Sequence, residues 1–123
     1  MLLSDARKNL APEELIVFEK IYNFCKNNGA EINFGTGSNG SFSPIFSVLS
    51  KKSLFTLSTR NRLRFNFKWV AADNPRFAYK LGKMFYEAGF KFPQNYEELH
   101  PSFSAQEWSH MADRIPVIIG RLL

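Results

Sequence analysis

Arg62, Arg64, Asn66 and Lys68 fall on one parity of the chain, and Leu63, Phe65, Phe67 and Trp69 fall on the other. In an extended strand the two sets project to opposite faces, so the cations would share a face and recur every ~7 Å. Cations held at that spacing can neutralise successive phosphates and release their counterions, which positions a polyanion without reading its bases. Lys51, Lys52 and Arg60 fall in the turns that would flank this strand, and Arg76, Lys80 and Lys83 form a second basic row at i, i+4 and i+7. The chain carries a net charge of +5, but between residues 51 and 91 ten cations face only Asp73 and Glu87. Segregation of that kind creates a one-sided field that attracts polyanions.

Other chemistry is sparse. His100 and His110 stand ten residues apart, Cys25 is the single cysteine, and no short-spaced His, Cys or carboxylate set suits a metal. The pairs Glu13-Glu14 and Glu97-Glu98 are adjacent, a spacing that diverges on a helix and suits helix-start charge better than paired acid–base work. No serine stands in a nucleophile elbow, and no acidic cluster accompanies the basic strand as a metal-dependent nuclease would need. The expectation is a protein without catalytic residues, metal or cofactor.

The run Gly35-Thr36-Gly37-Ser38-Asn39-Gly40 matches the dinucleotide-binding fingerprint, but Ser41-Phe42-Ser43-Pro44 follows where that fingerprint requires a helix. It reads instead as a glycine-rich hairpin loop, with Gly37, Ser38, Asn39 and Gly40 as a possible phosphate-contacting segment. Asn39-Gly40-Ser41 also fits a glycosylation acceptor, which the lack of a secretory signal makes a chance match. A lone cysteine and the absence of a long apolar run lead to an expectation of a cytoplasmic protein with no membrane contact.

The elements that must position these residues follow from periodicity. Residues 1 to 11 read as a weakly ordered arm in which Leu2, Leu3 and Leu10 could dock, and 12 to 123 as one α+β domain. Pro12, Glu13 and Glu14 suit a helix start, and Leu15, Phe18, Ile21, Tyr22 and Cys25 give a helical stripe ending near residue 28. On that stripe Cys25 is a core residue. Four strands should follow as an antiparallel meander: 30–34, 42–50, 54–58 and the basic strand 62–69. A two-residue turn at Lys51-Lys52 would place Val48 opposite Phe55 and Phe46 opposite Leu57. A three-residue turn, Thr59-Arg60-Asn61, would place Leu57 opposite Leu63 and Phe55 opposite Phe65, with Asn61 left-handed. The core face would then carry Ile32, Phe34, Phe42, Phe46, Val48, Phe55, Leu57, Leu63, Phe65, Phe67 and Trp69. Ile45, Leu49 and Leu54 would join Ser47, Thr56 and the cations on the other.

Two C-terminal helices complete the reading. Asp73-Asn74-Pro75 opens one whose stripe is Phe77, Leu81, Met84, Phe85 and Ala88, closed by Gly89. Residues 90 to 103 read mainly as an irregular connection, sealing the core with Phe90, Phe92, Tyr96 and Leu99. Ser104 and Glu107 form a capping-box pattern for the last helix, which Pro116 should kink or divide.

Gly35-x-Gly37-x-x-Gly40-Ser41-Phe42-x-Pro44, then Ser53 to Leu57, then Leu63-Arg64-Phe65-Asn66-Phe67-x-Trp69, resembles a small α+β module of bacterial proteins that is sometimes joined to restriction-type nuclease domains. The likeness spans residues 30 to 120 and implies an accessory role beside DNA-acting enzymes, with no catalytic residue. Two partner classes remain. One is the phosphate backbone of DNA or RNA, met by Lys51, Lys52, Arg60, Arg62, Arg64 and Lys68, with stacking disfavoured because the strand aromatics share the core parity. The other is a protein, either an acidic partner or a second copy docking on Ile45, Leu49 and Leu54.

Overall fold

A computed structural model of the chain describes residues 2–35, 40–60 and 62–123. It is an α+β fold in which one five-stranded antiparallel sheet, ordered β1-β2-β3-β4-β5, carries helices on one face. The elements run α1 (Leu2–Asn9), α2 (Pro12–Asn27), β1 (Glu31–Phe34), β2 (Ser41–Ile45), β3 (Phe55–Ser58) and β4 (Arg62–Phe65). Then come α3 (Phe67–Asp73), α4 (Pro75–Glu87), β5 (Ser102–Ser104), α5 (Ala105–Trp108) and α6 (Ile115–Leu122). The first eleven residues, read as a weakly ordered arm, hold α1, which buries Ala6 and leads into buried Leu10.

Helix α2 follows its sequence stripe. The Glu14 carboxylate accepts the Ala11 backbone N–H at 3.0 Å, and Phe18, Ile21 and Cys25 face inward. Phe18 and Tyr22 meet the ring of Phe42 edge-on at 5.4 and 5.2 Å, which fixes α2 over β2. Burial pushes the Cys25 thiol up to about 12, so it stays protonated and unreactive. Iodoacetamide is expected to leave Cys25 unmodified in the native protein and to alkylate it fully in denaturant; rapid native labelling would refute this packing.

The β3–β4 register is the expected one, Phe55 opposite Phe65, Thr56 opposite Arg64 and Leu57 opposite Leu63. Asn61 lies outside the described residues. The β2–β3 register differs by four residues, because Phe42 rather than Phe46 faces Leu57. The chain does not turn at Lys51-Lys52. It leaves the sheet after Ile45 and folds a compact turn in which Leu49 and Ser50 both donate to the Phe46 carbonyl, at 2.8 and 3.0 Å. An even shift preserves the parity of Phe42, Phe46, Phe55 and Leu57, all buried, but Val48 is expelled to 80 % exposure. At the free edge of β1, Phe34 is likewise exposed.

The basic strand is shorter than its alternation suggests. Extended pairing stops at Phe65, and Phe67 starts α3, where Phe67 and Val70 point inward at helical spacing and Ala71-Ala72 favour the helix. Phe67 satisfies both periods, but Trp69 cannot: the helical turn moves it off the core and leaves it 43 % exposed. A fifth strand replaces the end of the expected irregular connection. Phe65 donates its N–H to the Pro101 carbonyl at 2.8 Å, and Leu63 then faces Phe103 on β5. The basic strand is therefore internal, with only β1 and β5 at the edges.

Phe65 sits at the centre of the core, with ring centroids of Phe85 at 4.8 Å, Phe90 at 5.1 Å, Phe67 at 5.3 Å and Phe92 at 5.5 Å. These contacts dock α4 and the segment after it on the apolar face of β4. Asn74 caps α4 by accepting the Phe77 N–H at 3.2 Å. Ring packing also explains Gly82: a Cβ there would collide with the Tyr96 ring, whose hydroxyl donates to the Tyr79 carbonyl at 2.9 Å. The last helix is divided, with the break ahead of Pro116, which stands where a helix start tolerates proline. Ser104 and Glu107 cap α5, a single 3-10 turn (Ala112–Arg114) follows, and Pro116 lies in the first turn of α6.

Candidate nucleic-acid interface

Beside the packed face, the sheet has a polar one. Its rows can be read across the strands: Asn33, Ser43, Thr56, Arg64 and Ser102 form one, and Ser41, Ser58, Arg62 and Ser104 the next. Among the described residues every strand position on this face is half-buried or exposed, whereas Phe42, Pro44, Phe55, Leu57, Leu63, Phe65 and Phe103 on the opposite face are buried. The face thus presents hydroxyls and two arginines on a rigid, internally paired frame.

Asn66 organises this surface. It is fully buried at the junction of β4 and α3, and its amide donates to Ser53 Oγ at 3.0 Å and Thr56 Oγ1 at 3.3 Å. Its carbonyl oxygen Oδ1 accepts from Arg64 Nε at 3.2 Å. Thr56 Oγ1 is in turn 2.7 Å from Ser43 Oγ, so one polar chain crosses three strands. A buried amide that meets its hydrogen-bonding capacity in this way fixes the groups around it, because leaving any of them unpaired is costly. The group fixed is Arg64. Its guanidinium carbon also lies 5.2 Å from the centroid of the Trp69 ring, a cation–π contact that holds the fork over the indole. Among the described residues the terminal nitrogens of Arg64 make no hydrogen bond, so the end that matches a phosphate is presented outward.

No family model, curated protein or solved structure matches this chain.

Lys68 is the second residue of α3, exposed, with its backbone N–H donated to the Leu99 carbonyl at 3.1 Å. Arg62 borders a shallow polar depression of about 210 Å3 with Ser102, Phe103, Ser104 and Glu107. Arg62, Arg64 and Lys68 thus occupy one continuous stretch from β4 into α3. The remaining cations lie elsewhere. Lys51 and Lys52 sit at the other end of β3 from Arg60, and they are tied to Asp73: the Lys51 N–H and the Ser50 hydroxyl donate to its Oδ2 at 3.0 and 3.1 Å. The Lys51 backbone bond, the Ser50 hydroxyl and the two lysine charges hold the Asp73 carboxyl below the usual carboxylate range, so its charge offsets part of theirs. Arg60 is exposed at the β3–β4 turn, where with Asn9, Glu14, Ser104, Ala105 and Gln106 it lines a depression beside α2.

The row Arg76, Lys80 and Lys83 is exposed on the outer side of α4, whose inner side packs on the apolar face of β4. It lies on the far side of the sheet from Arg62 and Arg64. Lys83 there borders an aromatic groove of about 640 Å3 with Tyr79, Tyr86, Phe92, Pro93 and Tyr96. Of the possible phosphate loop, Gly37, Ser38 and Asn39 lie outside the described residues. Gly40 is a close-packed position, since a Cβ would stand 3.1 Å from Asp5 Oδ2 and 3.2 Å from Leu2 Cδ1. The aliphatic set Ile45, Leu49 and Leu54 is not an exposed patch, because Leu54 is fully buried and the other two are half-buried. Among the described residues no three His, Cys, Asp or Glu converge on a metal site, and no helix is long and apolar enough to cross a membrane.

Two residues that the sequence did not place at the candidate site pack beside Arg64 there. Trp69 was assigned to the core by parity, and His100 carried no motif. The His100 ring meets Trp69 at 4.7 Å and 62°. Burial, then the charges of Arg64 and Lys68, lower the His100 value below that of an ordinary imidazole. In the folded protein protonation is thus disfavoured: the stability conferred by neutral His100 is full above about pH 6.5 and is lost as pH falls through the lowered folded value. A phosphate between Arg64 and Lys68 would relieve the repulsion and favour the imidazolium. If the face takes a polyanion, affinity is therefore expected to rise as pH falls below about 6.5, and His100→Phe to remove that increase. An unchanged pH profile in the variant would refute the linkage.

Proposed function

We propose that this chain is a non-catalytic nucleic-acid-binding module whose polar sheet face engages phosphates through Arg62, Arg64 and Lys68. The observation that carries this reading is the fixed guanidinium of Arg64, held from one side by buried Asn66 and over Trp69, with its phosphate-matching end outward. A cation retained only to keep a surface in solution needs no such support. Ser102 flanks it on β5 and supplies a neutral hydrogen-bonding group for phosphate and sugar oxygens, while the Ser43–Thr56 pair braces the other side. Contacts of this class position nucleic acid with little sequence preference. Lys51, Lys52 and Arg60 add long-range attraction from both ends of the sheet, an effect that salt screens. An accessory role beside a DNA-acting enzyme is what the bacterial-module resemblance adds.

An acidic protein partner suits the same face better than an apolar one, because Leu54 is fully buried and Ile45 and Leu49 are half-buried. Competition separates the two. A labelled oligonucleotide bound by the protein should be displaced by excess unlabelled DNA of unrelated sequence and far less by polyglutamate at equal charge concentration. Equal displacement by polyglutamate would point to a generic acidic partner and count against the proposal.

A further inference from the structure

We infer that the face takes single-stranded rather than duplex nucleic acid, with Trp69 as the platform on which an unpaired base stacks. This rests on the phosphate reading of Arg62, Arg64 and Lys68 and specifies its substrate.

The turn into α3 is the structural cause. Had the basic strand continued to residue 69, its aromatics would all lie in the core and the face would offer only backbone contacts. Because helix replaces strand after Asn66, Trp69 emerges beside Arg64 and next to Lys68 while Phe67 remains buried. The indole is not loose. Arg64 lies 5.2 Å from its centroid and His100 packs at 4.7 Å and 62°, yet 43 % of the residue is open. An oriented aromatic with an accessible surface and cations alongside is the combination that binds single strands: the cations follow the backbone and the ring accepts any base through its π-face. In a duplex the π-faces are already stacked, and reaching one requires taking a base out of the helix. Ser102, opposite Arg64 on β5, places a hydroxyl where a sugar–phosphate chain passing Trp69 would run.

The molecule carries its own reporter. Its other tryptophan, Trp108, is fully buried, so ligand-induced quenching reads Trp69. The test is a fluorescence and anisotropy titration of the intact protein at low salt with oligo-dT, oligo-U and a duplex of equal length. Trp69→Ala, Trp69→Phe and Arg64→Glu are titrated in parallel; Trp69 is exposed, so its variants should keep the fold. Both single strands should quench the wild type and bind more tightly than duplex. Trp69→Ala should weaken single-strand binding about tenfold and duplex binding by distinctly less, the part owed to releasing Arg64, and Trp69→Phe should restore most of the single-strand loss. Wild-type single-strand affinity in Trp69→Ala, alongside loss in Arg64→Glu, would overturn the stacking inference and leave the phosphate reading standing. Absence of binding by every oligomer to the wild-type protein would overturn both.

Discussion

Replacing Arg62, Arg64 and Lys68 together by glutamate is expected to lower nucleic-acid affinity by on the order of a thousandfold at low salt. The magnitude follows from about 1.5 kcal/mol for each charge-assisted hydrogen bond lost, before the repulsion of three new carboxylates is counted. Arg62 and Lys68 are exposed and Arg64 is half-buried on the sheet's open face, so the variant should still fold. The informative control is Lys51→Glu with Lys52→Glu. That pair changes net charge by four units against six and lies beside Asp73 at the C-terminal end of α3, outside the line of Arg62, Arg64 and Lys68, and it should cost no more than about tenfold through the long-range field. Comparable losses in both variants, measured by anisotropy at matched salt, would mean that net charge and not the β4–α3 stretch governs binding.

The second large effect concerns Asn66. Its replacement by alanine removes a buried amide that serves Ser53, Thr56 and Arg64 at once and leaves a small void at the β4–α3 junction. Thr56 retains Ser43, and Arg64 can reach water, so the penalty falls short of three full hydrogen bonds. A loss of about 2–4 kcal/mol is expected from the unpaired hydroxyls and the cavity, a reduction in melting temperature of roughly 10 °C for a chain of this size. Asn66→Ala should also bind nucleic acid less tightly under conditions where it is fully folded, because Arg64 then has to be ordered by the ligand. Thermal unfolding and binding can be read on the same sample. A wild-type melting temperature would contradict the assigned network, and reduced stability with undiminished affinity would show that Arg64 needs no positioning.

What the residues disclosed in advance was local. The β3–β4 register was legible because only one turn length pairs Leu57 with Leu63 and Phe55 with Phe65. Helix α2, the Asn74-Pro75 start of α4 and the Ser104–Glu107 cap were legible because each is decided within one turn of chain. Features set by tertiary pairing were not. Ser102-Phe103-Ser104 is too short for alternation to mark a strand, and it becomes one only because β4 offers it a free edge. The β2–β3 register could not be read from parity, since any even shift keeps the same residues inside. The end of the basic strand was hidden by Phe67, which suits a strand that has just placed Phe65 inward and equally a helix that will next bury Val70.

That last ambiguity decided the site. Charge and spacing mark Arg62, Arg64 and Lys68 as candidate contacts, but a strand that runs through to Trp69 turns the indole inward and favours backbone contact over stacking. With α3 in place the indole faces outward, and Arg64, Trp69 and His100 become neighbours although residues 64 and 100 are far apart in the chain. The wider set of cations was equally visible in sequence. Their division between the two ends of the sheet and the opposite side of the helical layer was not, because it depends on where the strands turn and which side of α4 is buried.

The most direct measurement is the salt dependence of binding to a single-stranded oligonucleotide, for the wild type and for the variant carrying glutamate at Arg62, Arg64 and Lys68. Three phosphate contacts predict that log affinity falls against log salt with a slope of about −2, and that the residual binding of the folded variant has a slope near zero. A wild-type affinity that does not respond to salt, or the same slope in both proteins, would contradict phosphate recognition by this face.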